Sequence, residues 1–161
     1  MDSLKTSYIL NKYEILLLFN SIPDIEPSGP ARFIIDRYLS DNVMSLDAVE
    51  GLVYKKLAKK LPGGIVIEPV VDYLMRSALS SDLLWIVGCA DADDPDLVLK
   101  TGEMYLHIRK YPHISDSWRI TPYQSKELML GEFDGQTILE VNQIDKNGTK
   151  TDEPDLRLGN I

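Results

Sequence analysis

Cysteine is almost absent from this chain. Cys89 stands alone among 161 residues, which excludes an intramolecular disulfide framework and any multi-cysteine metal site. It falls within the apolar run LLWIVGCA, where a thiol reads as a small buried hydrophobe and not as a nucleophile. Histidine is nearly as scarce: His107 and His113 are the only two, and neither stands in a His-Glu-x-x-His arrangement or beside cysteine ligands. Basic charge is the minority sign, with 17 Lys and Arg against 25 Asp and Glu, a net charge of −8 and a pI near 4.7. That balance argues against general nucleic-acid binding, which needs a positive field to displace counterions. No apolar run reaches membrane-spanning length, and the amino terminus MDSLKTSYIL lacks the charged, apolar and small-residue succession of a secretion signal. A cytoplasmic location without membrane insertion is the resulting expectation.

Other signatures are missing as well. There is no Gly-x-Ser-x-Gly elbow to activate a serine. The glycines of Leu61-Pro62-Gly63-Gly64 lack the Gly-Lys-Ser or Gly-Lys-Thr that would grip a nucleotide. The acidic run DADDPD, with Asp91, Asp93, Asp94 and Asp96, cannot be a helix-loop-helix calcium site. Such a site needs an oxygen ligand at its fifth position and a glutamate at its twelfth, where this chain has Pro95 and Gly102. It reads as an acidic surface turn, and neither a metal nor another cofactor is expected.

What is present is the patterning of an α+β domain, with helices early and antiparallel strands late. Asn11 is placed to cap a helix over KYEILLLFNSI. The prolines of IPDIEPSGP forbid regular helix, and ARFIIDRYLSDN then returns to helical spacing. From Ser45 the apolar positions Leu46, Val49, Leu52, Val53, Leu57 and Leu61 follow a 3.6 period, predicting a helix that ends at Pro62-Gly63-Gly64. Lys55, Lys56, Lys59 and Lys60 fall on its solvated side. A second amphipathic helix follows Pro69, so the two form an expected antiparallel pair. Leu83 to Ala90 is uniformly apolar, as suits a central strand covered on both faces.

Downstream, Glu103 to Lys110 and Ser117 to Tyr123 alternate strictly and predict strands. Further strands are expected at Glu127 to Glu132 and Gln136 to Ile144, joined through Asp134-Gly135 as an antiparallel meander. Residues 1–145 form the expected domain, with a polar, flexible tail over 146–161. Asn147-Gly148-Thr149 fits a glycosylation sequon but reads better as a turn.

The alternation gathers Tyr105, His107, Arg109, Tyr111, Arg119 and Tyr123 on one polar sheet face. Tyrosine and arginine offer contact area with polar handles, so this face is the candidate partner-binding surface. The alternative is that a helix from the amino-terminal half covers it. As a strand residue on the polar side, His107 reads as a surface or interface group and not as a general base. A small hydrolase would require a buried carboxylate pair together with His107 or His113 in a deep pocket. If the face binds, Tyr105→Ala with Tyr123→Ala should weaken capture and leave the fold intact.

The succession YEILLLFNSI, then LPGGIVIEPVVDYLMRSALSSDLLWIVG, then a series of antiparallel strands resembles the cytosolic chaperones of type VII secretion systems. The order of elements from Tyr8 to Ile144 is similar to the small EsaE-like chaperones of Firmicutes and, more distantly, to the EspG family of actinobacteria. That resemblance implies a non-enzymatic protein that binds a secreted substrate, keeps it soluble and hands it to the secretion ATPase. The client it implies is a toxin with a helical export region. EspG-like proteins are longer and have two pseudo-equivalent halves, so the resemblance implies either a homodimer or a smaller binding surface here. The competing expectation is an immunity protein that neutralises a cognate toxin, for which acidity supplies steering toward a basic nuclease.

Overall fold

The computed structural model describes residues 6–39 and 46–151. The chain enters as a short strand, β1 (Tyr8–Asn11), and turns directly into α1 (Lys12–Asn20). Asn11 caps that helix reciprocally. Its Oδ1 accepts from the Glu14 N–H at 2.9 Å, and Glu14 Oε1 accepts from the Asn11 N–H at 2.9 Å. The proline-containing connector ends at Ser28, whose side chain caps α2 (Gly29–Tyr38). The helix expected around ARFIIDRY is therefore present.

Helix α3 (Leu46–Tyr54) stops well short of Leu61, and Ser45, its expected opening residue, lies outside the described residues. The stop is a Schellman closure: the Leu57 N–H donates to Leu52 O and the Lys56 N–H to Val53 O. Lys56 supplies the left-handed residue, with φ of 63°. The lysine-rich stretch then runs as β2 (Ala58–Leu61), paired with β3 (Gly64–Ile67) across Pro62 and Gly63. Periodicity alone could not distinguish these outcomes. The β-branched run Ile65-Val66-Ile67 provides a partner strand, and pairing with it outweighs a further turn of helix. A β-hairpin thus replaces the direct link expected between α3 and α4 (Pro69–Leu79).

The remaining elements are β4 (Leu83–Cys89), β5 (Asp96–Thr101), β6 (Met104–Lys110), β7 (Ser117–Tyr123), α5 (Lys126–Leu130), a 3-10 turn at Gly131–Phe133, β8 (Ile138–Ile144) and β9 (Lys150–Thr151). They confirm an α+β fold around one seven-stranded antiparallel sheet, ordered β1-β7-β6-β5-β4-β8-β9. Strands β4 to β7 form a meander, and β8 returns to pair with the far side of β4. That places β4 inside the sheet, as its uniform apolarity requires. The strand expected at Glu127 to Glu132 is instead α5 and the 3-10 turn, with Ser125 accepting from the Leu128 N–H to start the helix.

Each sheet face has its own apolar layer. On one, Leu84, Leu97, Leu99, Leu106, Ile108 and Ile120 pack against α1, α2 and α4. On the other, Trp85, Val87, Val98 and Tyr105 pack under Met129 and Phe133. Of the expected flexible tail, residues 146–151 form a turn and β9, while 152–161 lie outside the described residues. The turn seats α2: the Gly29 N–H donates to Lys146 O at 2.9 Å. A Cβ on Gly29 would lie 2.2 Å from Gly148 N, so no larger residue fits this approach. No helix among the described residues is long and apolar enough to cross a membrane.

Candidate functional site

Strand register brings the predicted polar face together. Tyr105 pairs with Tyr123, His107 with Thr121 and Arg109 with Arg119 across β6 and β7. Two arginines directly opposite each other repel unless a counter-charge lies between them. The α5 segment supplies it, because the 3-10 turn carries Glu132 over this face. Glu132 Oε1 lies 2.9 Å from Arg119 Nη2 and 3.4 Å from Arg109 Nη1, and its other oxygen accepts from the Tyr123 hydroxyl.

The second carboxylate comes from Asp96 at the start of β5. Arg109 donates to Asp96 Oδ2 from Nε at 2.9 Å and from Nη2 at 2.7 Å. The same oxygen lies 2.7 Å from His107 Nε2. His107 is fully buried, its ring edge-on to Phe133 at 5.5 Å. Its Nδ1 has no hydrogen-bond partner among the described residues, and the nearest acceptor, Glu132 Oε2, is 3.7 Å away. His107 is therefore neither a surface nor an interface residue. The element covering it is not an amino-terminal helix but the short segment that follows β7.

The electrostatics are those of a mutually bonded cluster, in which the buried His107 Nδ1 and Arg119 Nε lack a hydrogen-bond partner among the described residues. Burial opposes ionisation of Asp96, but hydrogen bonds from His107 and Arg109 outweigh it and hold the carboxyl below its ordinary range. Burial likewise opposes ionisation of Glu132. The Tyr123 hydrogen bond and the proximity of His107 and of the Arg119 and Arg109 guanidiniums outweigh it there. Tyr123 is pushed up to about 12, first by burial and then by its bond to Glu132. Burial also raises the Cys89 thiol, with Asp96 adding to the effect, so Cys89 is the unreactive buried thiol that its apolar run predicts.

Half of the hydrolase requirement is thus met: a carboxylate pair does flank His107. A deep pocket around it is not seen among the described residues, where His107 is fully buried. The enclosed cavity between sheet and helices amounts to about 30 Å³ and has an apolar lining that includes Ile15, Met75 and Trp118. It lies on the opposite sheet face from His107. An open groove of about 700 Å³ runs between the Asp91-to-Pro95 turn and the loop from Tyr111 to Ser115. It touches the network only through Asp96 and Arg109. Tyr111 and His113 meet edge to face in its wall at 5.2 Å, beside the exposed Asp91, Asp93 and Asp94. No group of three or more His, Cys, Asp or Glu among the described residues is arranged to hold a metal ion.

The six residues predicted for partner binding therefore divide. Tyr105 and His107 are buried and withdrawn from direct contact. Arg109, Tyr111, Arg119 and Tyr123 remain partly accessible, three of them engaged with Glu132. Two members of the cluster escape the sequence pattern: Asp96 reads as part of the acidic turn and Glu132 as a strand residue. The available signals were the alternation of Asp96, Val98 and Lys100, and the helical spacing of Met129 and Phe133 behind a capping Ser125.

A separate surface carries large exposed side chains. Tyr54 is 88% exposed, and Leu61 and Val66 on the β2–β3 hairpin are 51% and 50% exposed. No family model matches the chain, and neither a curated protein nor a solved structure matches it.

Proposed function

We propose that this chain is a cytoplasmic chaperone or adaptor that binds one secreted polypeptide and carries out no chemistry of its own. The observation that carries this reading is the mutual bonding of the His107 cluster. Its carboxylates are occupied by Arg109, Arg119, Tyr123 and His107, and His107 is buried beneath Phe133, an arrangement that supports a structural role for this cluster over a catalytic one. Exposed apolar side chains are then the surface features left to account for. The resemblance to type VII secretion chaperones supports the client class, a toxin with a helical export region destined for the secretion ATPase.

One observation favours a second reading, that of an immunity protein. The groove has more acidic than basic groups in its lining, Asp91, Asp93, Asp94 and Asp96 against Arg109 and Lys110, and an acidic concave surface suits a basic nuclease through electrostatic steering. Co-expression with toxins encoded by neighbouring genes tests both. A co-purifying toxin that stays soluble and retains its activity supports the chaperone, and a co-purifying but silenced toxin supports the immunity protein. Absence of any complex, or a catalytic turnover abolished by His107→Gln in a folded protein, would overturn the proposal.

A further inference from the structure

We infer that the β2–β3 hairpin is a docking surface for an acidic polypeptide segment that also carries apolar side chains. This rests on the reading of the chain as a polypeptide binder. Residues 51–67 contain Lys55, Lys56, Lys59 and Lys60 and no acidic residue, in a chain whose net charge is −8. Lys55 is engaged with the buried Glu14, its Nζ 2.6 Å from Oε1, and Lys60 reaches Glu50 at 3.6 Å. Lys56 and Lys59 make no ion pair among the described residues.

The register sorts the side chains onto two faces. Ala58 opposes Ile67 and Lys60 opposes Ile65 on one; Lys59 opposes Val66 on the other, with Leu61 the diagonal neighbour of Val66. The first face turns inward at its base, where Ala58 is buried and Ile67 packs on the core. The second presents Leu61 and Val66 to solvent beside Lys59, with Tyr54 exposed just ahead of the hairpin. Three large apolar side chains, each at least half exposed within thirteen residues beside Lys56 and Lys59, are the kind of surface that an interaction partner covers. Lysines along a two-stranded edge also discourage indiscriminate strand pairing, which directs docking to the face.

Charge decides the occupant. A membrane or a nucleic acid presents an extended anionic surface that would meet the whole molecule, and the net charge opposes that approach. A short acidic segment meets only the hairpin, because charges farther away than the screening length of about 8 Å contribute little.

The test uses a fluorescein-labelled amphipathic peptide with Glu and Asp on one face and Leu and Phe on the other, and a counterpart with Lys in place of the acids. Anisotropy should show salt-sensitive binding of the acidic peptide alone. Lys56→Glu with Lys59→Glu, and separately Leu61→Ser with Val66→Ser, should each weaken it by about tenfold or more, with circular dichroism confirming that both variants fold. Unchanged affinity in both folded variants would overturn the assignment. So would binding to phosphatidylglycerol vesicles, or self-association in which the hairpin of one copy takes the acidic turn of another. The co-purified toxin separates the two claims: if it persists on both hairpin variants, the adaptor reading stands and the hairpin assignment falls. If no toxin binds the unaltered chain, the adaptor reading falls while the peptide still judges the hairpin.

Discussion

His107 Nε2 lies 2.7 Å from Asp96 Oδ2, and neither side chain has appreciable contact with solvent. Arg109 shares the same oxygen, so removing the carboxylate strands two donors at once. Asp96→Ala should lower unfolding free energy by about 3 kcal/mol, the smaller end of the range for a broken buried pair because Arg109 remains partly exposed. A loss of less than about 1 kcal/mol by urea denaturation would show that the pair contributes little.

The pH dependence follows in sign. Asp96 and Glu132 are held below ordinary carboxylate values in the folded chain, so unfolding takes up protons in acid. Their stabilisation is complete above about pH 5 and is lost as pH falls through the lower folded values. Tyr123, raised to about 12, contributes below about pH 10, and that contribution is lost as pH rises through its folded value. Urea titrations across pH should show both limbs, with Asp96→Asn flattening the acid one and Tyr123→Phe the alkaline one. Slopes identical to those of the unaltered protein would rule these groups out.

Lys56 holds a left-handed conformation that costs a side-chain-bearing residue about 1 kcal/mol. Lys56→Gly should therefore stabilise the chain by about 0.5–1 kcal/mol, raising the thermal midpoint by a few degrees. A lower midpoint would mean that the lysine side chain makes a stabilising contact.

Gly51 offers the opposite case. Alanine normally improves a helix interior, yet a Cβ here would lie 2.2 Å from Glu14 Oε2. Glu14 cannot swing aside without leaving both its capping box and Lys55. Gly51→Ala should destabilise by about 1–3 kcal/mol, against the sign of helix propensity. A gain in denaturation midpoint would contradict this packing.

Tyr105 is a core residue, stacked on Trp85 with ring centroids 6.1 Å apart. Tyr105→Ala should cost about 3–5 kcal/mol through the cavity it opens. The double substitution of Tyr105 and Tyr123 is therefore a test of folding before it is one of capture. Retention of the unaltered midpoint by Tyr105→Ala would show that the layer beneath Met129 relaxes freely.

Much of the helical half was legible in short-range patterns. Asn11 announces α1, Pro69 permits the first turn of α4, and the alternation around Trp118 marks β7. The strands β1 and β5 were not recognised, since Tyr8 to Asn11 is too short for a period and DLVLKT follows directly on an acidic turn. The segment from Lys126 to Phe133 misled for a related reason. Its apolar residues fit either period, and only the burial of Met129 and Phe133 on β6 selects the helical one.

By itself the sequence determined that α1, α2 and α4 coil and that β4, β6, β7 and β8 extend, where several of them begin, and that helices precede a largely antiparallel sheet. Those properties reside in neighbouring residues, through capping, chain stiffness and alternation. The tertiary structure alone decided that β8 crosses to β4, that Glu132 settles between two facing arginines, and that His107 has no access to water. Each depends on groups far apart in the chain, whose approach is set by competition for the same buried surface and by the cost of leaving a charge there without a partner.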